Sequence, residues 1–329
     1  MTGVLAVVLA AALQAVGNGL MTNNLTASES FLLSLTAFGT LAAVFGAVQR
    51  LRSGKPVLDA RQRRSMLWLN VCTAGAFLGL YWSYSLIPAP LASSIGIGIA
   101  PLAVAVANHV REAEGRRLPE YAVGFVSAGF IVALAVRTSV DGATEFDTRF
   151  AFGIAVATLV GAVFSLVPLI SHDLARSGLD PVYITAHRFH LAYPAAFALL
   201  AFQPDAARTV ADGARIVPLL ATALVCVALP LFLLQIGMQR TPPLAMTLVY
   251  SVQPSLTYLA AVAVGGIEFD EVAFALINIS LATAALGPTV IRRIHRRAAR
   301  PHSTEREQMH TLKNVKSAAG PSRLHNRTS

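Results

Sequence analysis

Long apolar runs recur along this chain from its first residues to about residue 290. Each run is about 18–22 residues long, enough for a helix to cross a hydrocarbon layer of about 30 Å. Backbone groups that face lipid must be hydrogen-bonded within their own segment, so helices are the expected structure. The pattern predicts an all-α polytopic membrane protein whose ten transmembrane helices span residues 3–22, 31–49, 66–86, 90–109, 121–137, 150–171, 181–202, 216–238, 242–265 and 271–291.

Charged residues make up only 13% of the chain, and its formal net charge of +9 is concentrated at one end. Residues 292–329 hold ten Lys and Arg residues against two Glu, which accounts for +8 of that charge. This segment is poor in large apolar residues and follows the last run, so we expect a disordered cytoplasmic tail beside anionic lipid. The basic character therefore does not indicate a nucleic-acid partner.

The distribution of basic residues predicts the orientation. If ten spans are assumed, 21 Lys and Arg residues lie on one side of the membrane, counting the tail. Basic residues favour the cytoplasm, so both termini are predicted to be cytoplasmic, in the plasma membrane. The opposite side carries four, namely Arg137, Arg149, Arg208 and Arg215.

An internal repeat is the most informative feature of the pattern. The tripeptide Pro90-Leu91-Ala92 recurs as Pro243-Leu244-Ala245, and Pro101 recurs as Pro254, each at an offset of 153 residues. The same offset superimposes the first five predicted spans on the last five. Because five is odd, the second copy enters the membrane from the opposite side. The sequence thus predicts two inverted five-helix repeats, residues 1–137 and 138–291, a plan common among secondary transporters.

The segment Tyr81-Trp82-Ser83-Tyr84-Ser85, followed by Pro90-Leu91-Ala92-Ser93-Ser94 and Pro101, resembles the third-to-fourth helix signature of the drug/metabolite transporter superfamily, EamA type. The segment from Gln239 to Pro254 resembles the same signature. The resemblance implies a ten-helix carrier of amino acids, other metabolites or drugs, often directed outward. It also implies a central cavity lined by helices one, three, four, six, eight and nine.

The sequence departs from the family pattern just after helix four. Members often carry Gly-Glu there, whereas this chain has Gly115-Arg116. In the second repeat, Gly266-Ile267-Glu268 has its acid displaced by one residue. Because of this departure, the resemblance does not indicate which particular substrate the protein carries.

The predicted seventh span contains an unusual polar cluster. Tyr183, His187, His190 and Pro194 would share one helix face, with Arg188 about 100° around the helix from His187. One interpretation is an anion-attracting site with histidines that titrate near neutral pH. The other is that Arg188 extends back to the cytoplasmic headgroups while the histidines bond across helices. Two histidines are too few for zinc, so no metal site is predicted.

The first predicted span offers Gln14 and Asn18, one turn apart and flanked by Gly17 and Gly19. Glycine allows another backbone or a ligand to approach closely. These two amides are candidates for hydrogen bonds to a polar substrate. The alternative is that they only join helices, at about 0.6 kcal/mol per contact.

The ninth predicted span offers Tyr250 and Gln253 beside Pro254, and Pro101 is the equivalent proline of the fourth span. A proline leaves the carbonyl four residues earlier without its helical donor. Paired interrupted helices are where an inverted repeat is expected to bind its substrate, so both prolines are predicted helix breaks. Ordinary kinks are the alternative. Weaker candidates are Gln235 and Asn70, the latter near a wet cytoplasmic end.

Aromatic residues at the outer end of the third span, Tyr81, Trp82 and Tyr84, are interpreted as interface anchors or as part of a substrate cage. Apart from Glu271, the first residue of the tenth span, the spans as drawn contain no Asp or Glu. This absence disfavours a carboxylate proton relay or an intramembrane enzyme of the paired-aspartate type. The predicted substrate-binding residues are Gln14, Asn18, Tyr183, His187, Arg188, His190, Gln235, Tyr250 and Gln253.

Three classes of function fit a chain of this kind to different degrees. A secondary carrier accounts for the repeat and the interrupted helices, and the resemblance favours an exporter over an importer. No Walker-type Gly-x-x-x-x-Gly-Lys-Ser/Thr sequence supports ATP-driven transport, and no Gly-x-Ser-x-Gly elbow supports a hydrolase. A membrane scaffold or sensor without transport activity is the alternative. No cofactor is predicted. The sequence is compatible with a monomer or a homodimer.

Overall fold

The computed structural model describes residues 2–22, 25–52, 57–111, 118–140, 147–238, 249 and 251–287, and within these ranges the regular structure is entirely helical. The helices are α1 (Thr2–Met21), α2 (Ala27–Arg52), α3 (Ala60–Tyr84), α4 (Ala89–Gly98), α5 (Ala100–Arg111), α6 (Leu118–Val140), α7 (Thr148–Arg176), α8 (Pro181–His187), α9 (Ala192–Ala201), α10 (Ala206–Ala211), α11 (Gly213–Thr222), α12 (Leu229–Met238), α13 (Gln253–Ala263) and α14 (Glu271–Gly287). A π-helical segment, Ala223–Ala228, joins α11 to α12.

Six stretches of the described chain are long and apolar enough to cross a membrane as helices. They confirm the prediction of an all-α polytopic membrane protein. The remaining helices are shorter, interrupted or charged at one end. The six stretches are Gly3–Met21, Ala27–Leu51, Ala89–Ala107, Tyr121–Ser139, Thr148–Arg176 and Gly213–Leu234.

Polar residues begin several of these helices. The Asp59 side chain accepts a hydrogen bond from the backbone N–H of Gln62, whose side chain in turn accepts from the N–H of Asp59. This reciprocal pair satisfies two of the free donors at the start of α3. Asp147 caps α7 in a similar way by accepting from the N–H of Phe150. These caps place the helix starts in the polar loops, outside the apolar runs.

Three acidic residues lie within the helices that are long enough to span, and all three lie outside the stretches predicted as spans. Glu29 lies in the first turn of α2, Glu120 near the start of α6, and Asp173 near the end of α7. The spans were drawn from apolar residues alone, whereas each helix extends beyond them into polar sequence. A carboxylate in the first turn, as at Glu29, is favoured by the positive end of the helix dipole.

Aromatic side chains form the centre of the core. Phe38 of α2 stacks on Phe189, with ring centroids 5.5 Å apart, and also contacts Phe77 at 5.3 Å. Tyr81 and Tyr84 have 0% and 2% of their surface exposed. They are therefore core residues, and their interpretation as interface anchors is wrong. Burial of large rings beside one another contributes more than area alone, through their edge-to-face geometry.

Glycines let the helices approach closely at three crossings. A Cβ placed on Gly17 would lie 2.2 Å from Cβ of Cys226, and one on Gly19 would lie 2.6 Å from Cβ of Ala260. These contacts seat α1 between the π-helical segment and α13. At the crossing of α7 and α4, a Cβ on Gly161 would lie 2.6 Å from the carbonyl oxygen of Gly96. Small residues are the usual means by which membrane helices pack.

Candidate substrate site

The predicted seventh span is interrupted, and the prediction of one continuous helix over residues 181–202 is wrong. α8 ends at His187 and α9 begins at Ala192. Pro194 lacks an N–H and so cannot donate to the carbonyl of His190, which weakens helical continuity at this point. The intervening residues form a turn that contains Arg188, Phe189 and His190.

Three aromatic side chains of the predicted cluster lie against one another. The rings of Tyr183 and His187 stack with centroids 4.1 Å apart, and His187 meets His190 edge-on at 5.0 Å. Nδ1 of His187 lies 2.9 Å from the carbonyl oxygen of Tyr183. Pro194 is exposed, although it was predicted to share their face. No group of three or more metal-ligating side chains occurs in the described part of the chain.

Asn70 of α3 reaches the interrupted segment, a role that the sequence did not reveal. Its Nδ2 donates to the carbonyl oxygen of His187 at 2.7 Å, and its Oδ1 accepts from the N–H of Leu191 at 3.2 Å. The Asn70 side chain is half-buried and hydrogen-bonded, so it is more than a solvated side chain at the end of a helix. The two partners lie 117 and 121 residues away in the sequence, and a local sequence pattern cannot predict contacts over such a separation.

Arg188 lies over a buried ring. Its Cζ is 5.0 Å from the centroid of Phe189, whose side chain is 2% exposed and stacks on Phe38. The Nε atom of Arg188 is buried and has no hydrogen-bond partner among the described residues. A cation over an aromatic face is attracted by the ring quadrupole. That attraction does not replace the hydrogen bonds that the guanidinium loses on burial.

The two amides of the first helix are both buried. Gln14 is 6% exposed and Asn18 is 1% exposed. The backbone carbonyl of Asn18 accepts from the hydroxyl of Thr22 at 3.1 Å. Within the described residues, neither Nδ2 nor Oδ1 of Asn18 has a hydrogen-bond partner. A buried amide in this state costs about 1–3 kcal/mol, so Asn18 stands out from the packing around it.

The remaining predicted positions lie near the prolines. α4 ends at Gly98 and α5 begins at Ala100, so a short turn precedes Pro101. Gln253 begins α13 and is 6% exposed, with Pro254 directly after it. The side chain of Gln235 and the whole of Tyr250 lie outside the described residues, as do Gly115 and Arg116.

Polar contacts join the two predicted repeats at one end of the bundle. We call this end face A; it carries the loops after α1, α3, α6, α9 and α13. Each contact joins a residue of the segment 1–137 to a residue of the segment 138–291, which are the two predicted repeats. Among the described residues, these contacts are Glu29 with Arg215, Ser28 with Asp205, the carbonyl of Ser85 with Arg149, and Arg137 with Asp270.

Glu29 is the most buried charged member of face A, at 6% exposure. Its Oε1 lies 3.2 Å from Nη1 of Arg215, and its Oε2 accepts from the N–H of Thr26 at 2.7 Å. The carboxylate therefore binds to its own helix start and to the other segment at once. The carboxylate is buried, but the Arg215 side chain is 64% exposed, so the ion pair itself contributes about 1 kcal/mol or less.

The contact between Arg137 and Asp270 gives face A a defined pH dependence. Burial alone would raise the pKa of Asp270, but the hydrogen bond from Arg137, 2.9 Å long, and backbone N–H groups outweigh it and lower the pKa below its usual value. Stability from this pair is thus present above the ordinary carboxyl pKa and is lost as the pH falls through the lowered one.

We expect Arg137→Gln to lower the melting temperature by about 1–2 °C at pH 7, in line with about 0.5 kcal/mol for a partly exposed pair. The difference between variant and parent should shrink as the pH falls through the lowered pKa of Asp270, because protonation of the carboxylate removes the pair from the parent as well. Tryptophan fluorescence of the purified protein in detergent measures both temperatures. A difference that persists unchanged at acid pH would contradict the assignment.

A helical bundle of long apolar segments, with buried polar groups at its interruptions, defines a multi-pass membrane protein. Residues 151–287 match the family model of the EamA-like transporter family. This match confirms the resemblance noted from the sequence and is consistent with the drug/metabolite transporter superfamily.

Solved structures support the fold. Eight chains match this one, and one of them, described only as a crystal structure of a protein, is 19% identical with a TM-score of 0.56. The alignment covers 88% of this chain and 98% of that one. At this identity the likeness concerns the fold alone. No curated protein matches the chain in sequence.

Proposed function

We propose that this protein is a secondary transporter of a small polar metabolite, such as an amino acid, or of drugs, working outward across the plasma membrane. The observation that carries the proposal is the match of residues 151–287 to a family of transporters. Catalysis forms no part of the proposed function. The substrate would lie between two inverted five-helix repeats, 1–137 and 138–291, together forming ten spans.

A serine pair supports the inverted repeat. Ser127 and Ser280 are separated by 153 residues, the offset of the repeated prolines, and their Oγ atoms lie 3.3 Å apart in the core. Two positions equivalent by a repeat can touch each other only near the twofold axis that relates the copies. This contact is therefore what an inverted duplication would produce, and the position of the axis is needed, in addition to the offset, to predict it.

The closure of face A supports alternating access. If the orientation predicted from basic residues holds, with both termini in the cytoplasm, face A is the outer side. Four contacts between the repeats then close the outer side in this conformation. Rocking of one repeat against the other would break these contacts and open the site outward.

We propose that the substrate contacts are Gln14, Asn18, Tyr183, His187, Arg188, His190, Gln235, Tyr250 and Gln253, with interruptions at Pro101 and Pro254. The buried amide of Asn18, unsatisfied within the described residues, supports a ligand there. Arg188, considered below, supports one as well. The basic tail, residues 292–329, lies outside the described residues, and its contact with anionic lipid and any homodimer belong to the proposal.

Asn18→Leu separates a binding role from a packing role. Removing an unsatisfied buried amide should stabilise the protein by about 1 kcal/mol, because a desolvated donor and acceptor disappear. Transport should nevertheless fall by tenfold or more if the amide binds substrate, as expected of a site that trades stability for function. Thermal unfolding and uptake measured on the same preparation test both effects. A stabilised variant with full transport would remove Asn18 from the site.

Reconstitution tests the proposed function directly. Purified protein in proteoliposomes is expected to take up or exchange labelled amino acids and other small metabolites faster than empty vesicles do. The scaffold or sensor alternative predicts no solute flux above that background. Labelling of single cysteines added at each terminus checks the architecture, because termini on opposite faces would exclude an even number of spans.

A further inference from the structure

Asn70 replaces a missing helical hydrogen bond in the interrupted helix. In a continuous α-helix, the N–H of Leu191 would donate to the carbonyl of His187. Here the planar amide of Asn70 lies between them, with Nδ2 donating to the carbonyl at 2.7 Å and Oδ1 accepting from the N–H at 3.2 Å. A single side chain thus supplies both partners that the break leaves unpaired. Only an amide offers a donor and an acceptor in this arrangement.

The break places the partly buried side chain of Arg188 against the core. The guanidinium lies over Phe189, a ring buried in the core, and its Nε is buried without a hydrogen-bond partner among the described residues. The nearest ionisable side chains of its own segment, His187 and His190, can carry only positive charge. No carboxylate of the described residues forms an ion pair with Arg188. Partial burial of a cation that has no counter-charge among the described residues is unfavourable, and such residues within membrane helices usually face a ligand or a wet cavity.

We propose that the Asn70-braced break presents Arg188 to an anionic group, a carboxylate or a phosphate ester, of the transported solute. The inference rests on the proposed transport function and specifies its substrate class. A guanidinium carries five N–H donors in a planar fork that matches the oxygens of these groups. Arg188 is the specificity-determining residue, and Asn70 is a positioning residue that acts through the backbone of residues 187–191.

Thermal shift of the purified protein tests the substrate class. The probes are the sodium salts of pyruvate, L-glutamate and glucose 6-phosphate, with sodium chloride and L-alaninamide hydrochloride at matched ionic strength as controls. At least one anion should raise the melting temperature of the parent, whereas the controls should not. Arg188→Gln should abolish this rise, and Arg188→Lys should weaken binding by about tenfold, because the ammonium keeps the charge and loses the fork.

Asn70 variants test the positioning role. Asn70→Leu should raise the half-saturating concentration of the active anion by about tenfold, and Asn70→Gln, which keeps both a donor and an acceptor, should recover part of the affinity. A purely structural defect would reduce the amount of folded protein and leave the half-saturating concentration of the remainder unchanged. Asn70→Leu with unchanged affinity would therefore overturn the role of Asn70.

Transport assays separate this inference from the function on which it rests. If no anion shifts the parent, or if Arg188→Gln responds like the parent, the anion site is wrong even where proteoliposomes carry neutral or cationic solutes. If anions bind through Arg188 and no solute crosses the membrane, the transport function fails while the anion site stands.

Discussion

Linking Ser28 to Asp205 through introduced cysteines is expected to abolish transport. Their side chains are hydrogen-bonded across the two predicted repeats on face A. In a background where Cys72 and Cys226 are replaced by Ala, the double variant Ser28→Cys/Asp205→Cys would be treated with a short bis-methanethiosulfonate. A covalent bridge would hold face A closed, so uptake should fall to the level of empty vesicles and return after reduction.

The single variants Ser28→Cys and Asp205→Cys, treated identically, are the controls for this experiment. Each loses the hydrogen bond but forms no bridge, so each should keep transport under the reagent. Mass analysis of a peptide digest confirms that the link has formed. Full transport by the linked protein would show that face A does not open during the cycle.

Gly161→Ala is expected to destabilise the protein by about 2 kcal/mol, the effect of overpacking a tight contact. The added Cβ would lie 2.3 Å from Cγ2 of Ile99, 2.6 Å from the carbonyl oxygen of Gly96 and 2.9 Å from its Cα. Backbone atoms cannot rotate away as the end of a side chain can, so α7 must move from α4. This crossing adjoins the turn before Pro101, so transport should fall together with the unfolding temperature.

Gly129→Ala provides the matched control for that substitution. It lies within α6, where an added Cβ would find nothing within 4 Å. Alanine is favoured over glycine in helices, so this variant should be neutral or gain about 0.5 kcal/mol. If both variants unfold at the same temperature as the parent, the close approach of α7 to α4 is not present in the protein.

The helical, membrane-spanning character could be predicted from the sequence because it depends on the length and composition of each run. The family resemblance rested on residues near Tyr81 and Pro90, which are local patterns. Helix ends were less predictable, because Glu29 belongs to a helix whose polar first turn lies beyond the apolar run. Its partner Arg215 is distant in sequence, so hydropathy carried no sign that the acid is buried.

The break in the predicted seventh span was missed for a related reason. The helix-face pattern treats Pro194 as an ordinary helical position, although a proline has no N–H to donate a hydrogen bond to the carbonyl of His190. What stabilises the break is Asn70, on a helix more than 100 residues earlier in the chain. A hydrogen bond of that range follows only from the packing of α3 against the broken segment, and the sequence alone does not contain that packing.

The arginines of face A also affect the orientation in which the chain inserts into the bilayer. If face A is the outer side, as proposed, Arg137, Arg149 and Arg215 lie on translocated loops, where cations oppose the charge bias that sets insertion, and in the folded protein each of them contacts the other predicted repeat. Replacing any of them by a neutral residue would strengthen that bias. A transport defect in such a variant would therefore come from the lost bridge and could not be ascribed to an upside-down protein.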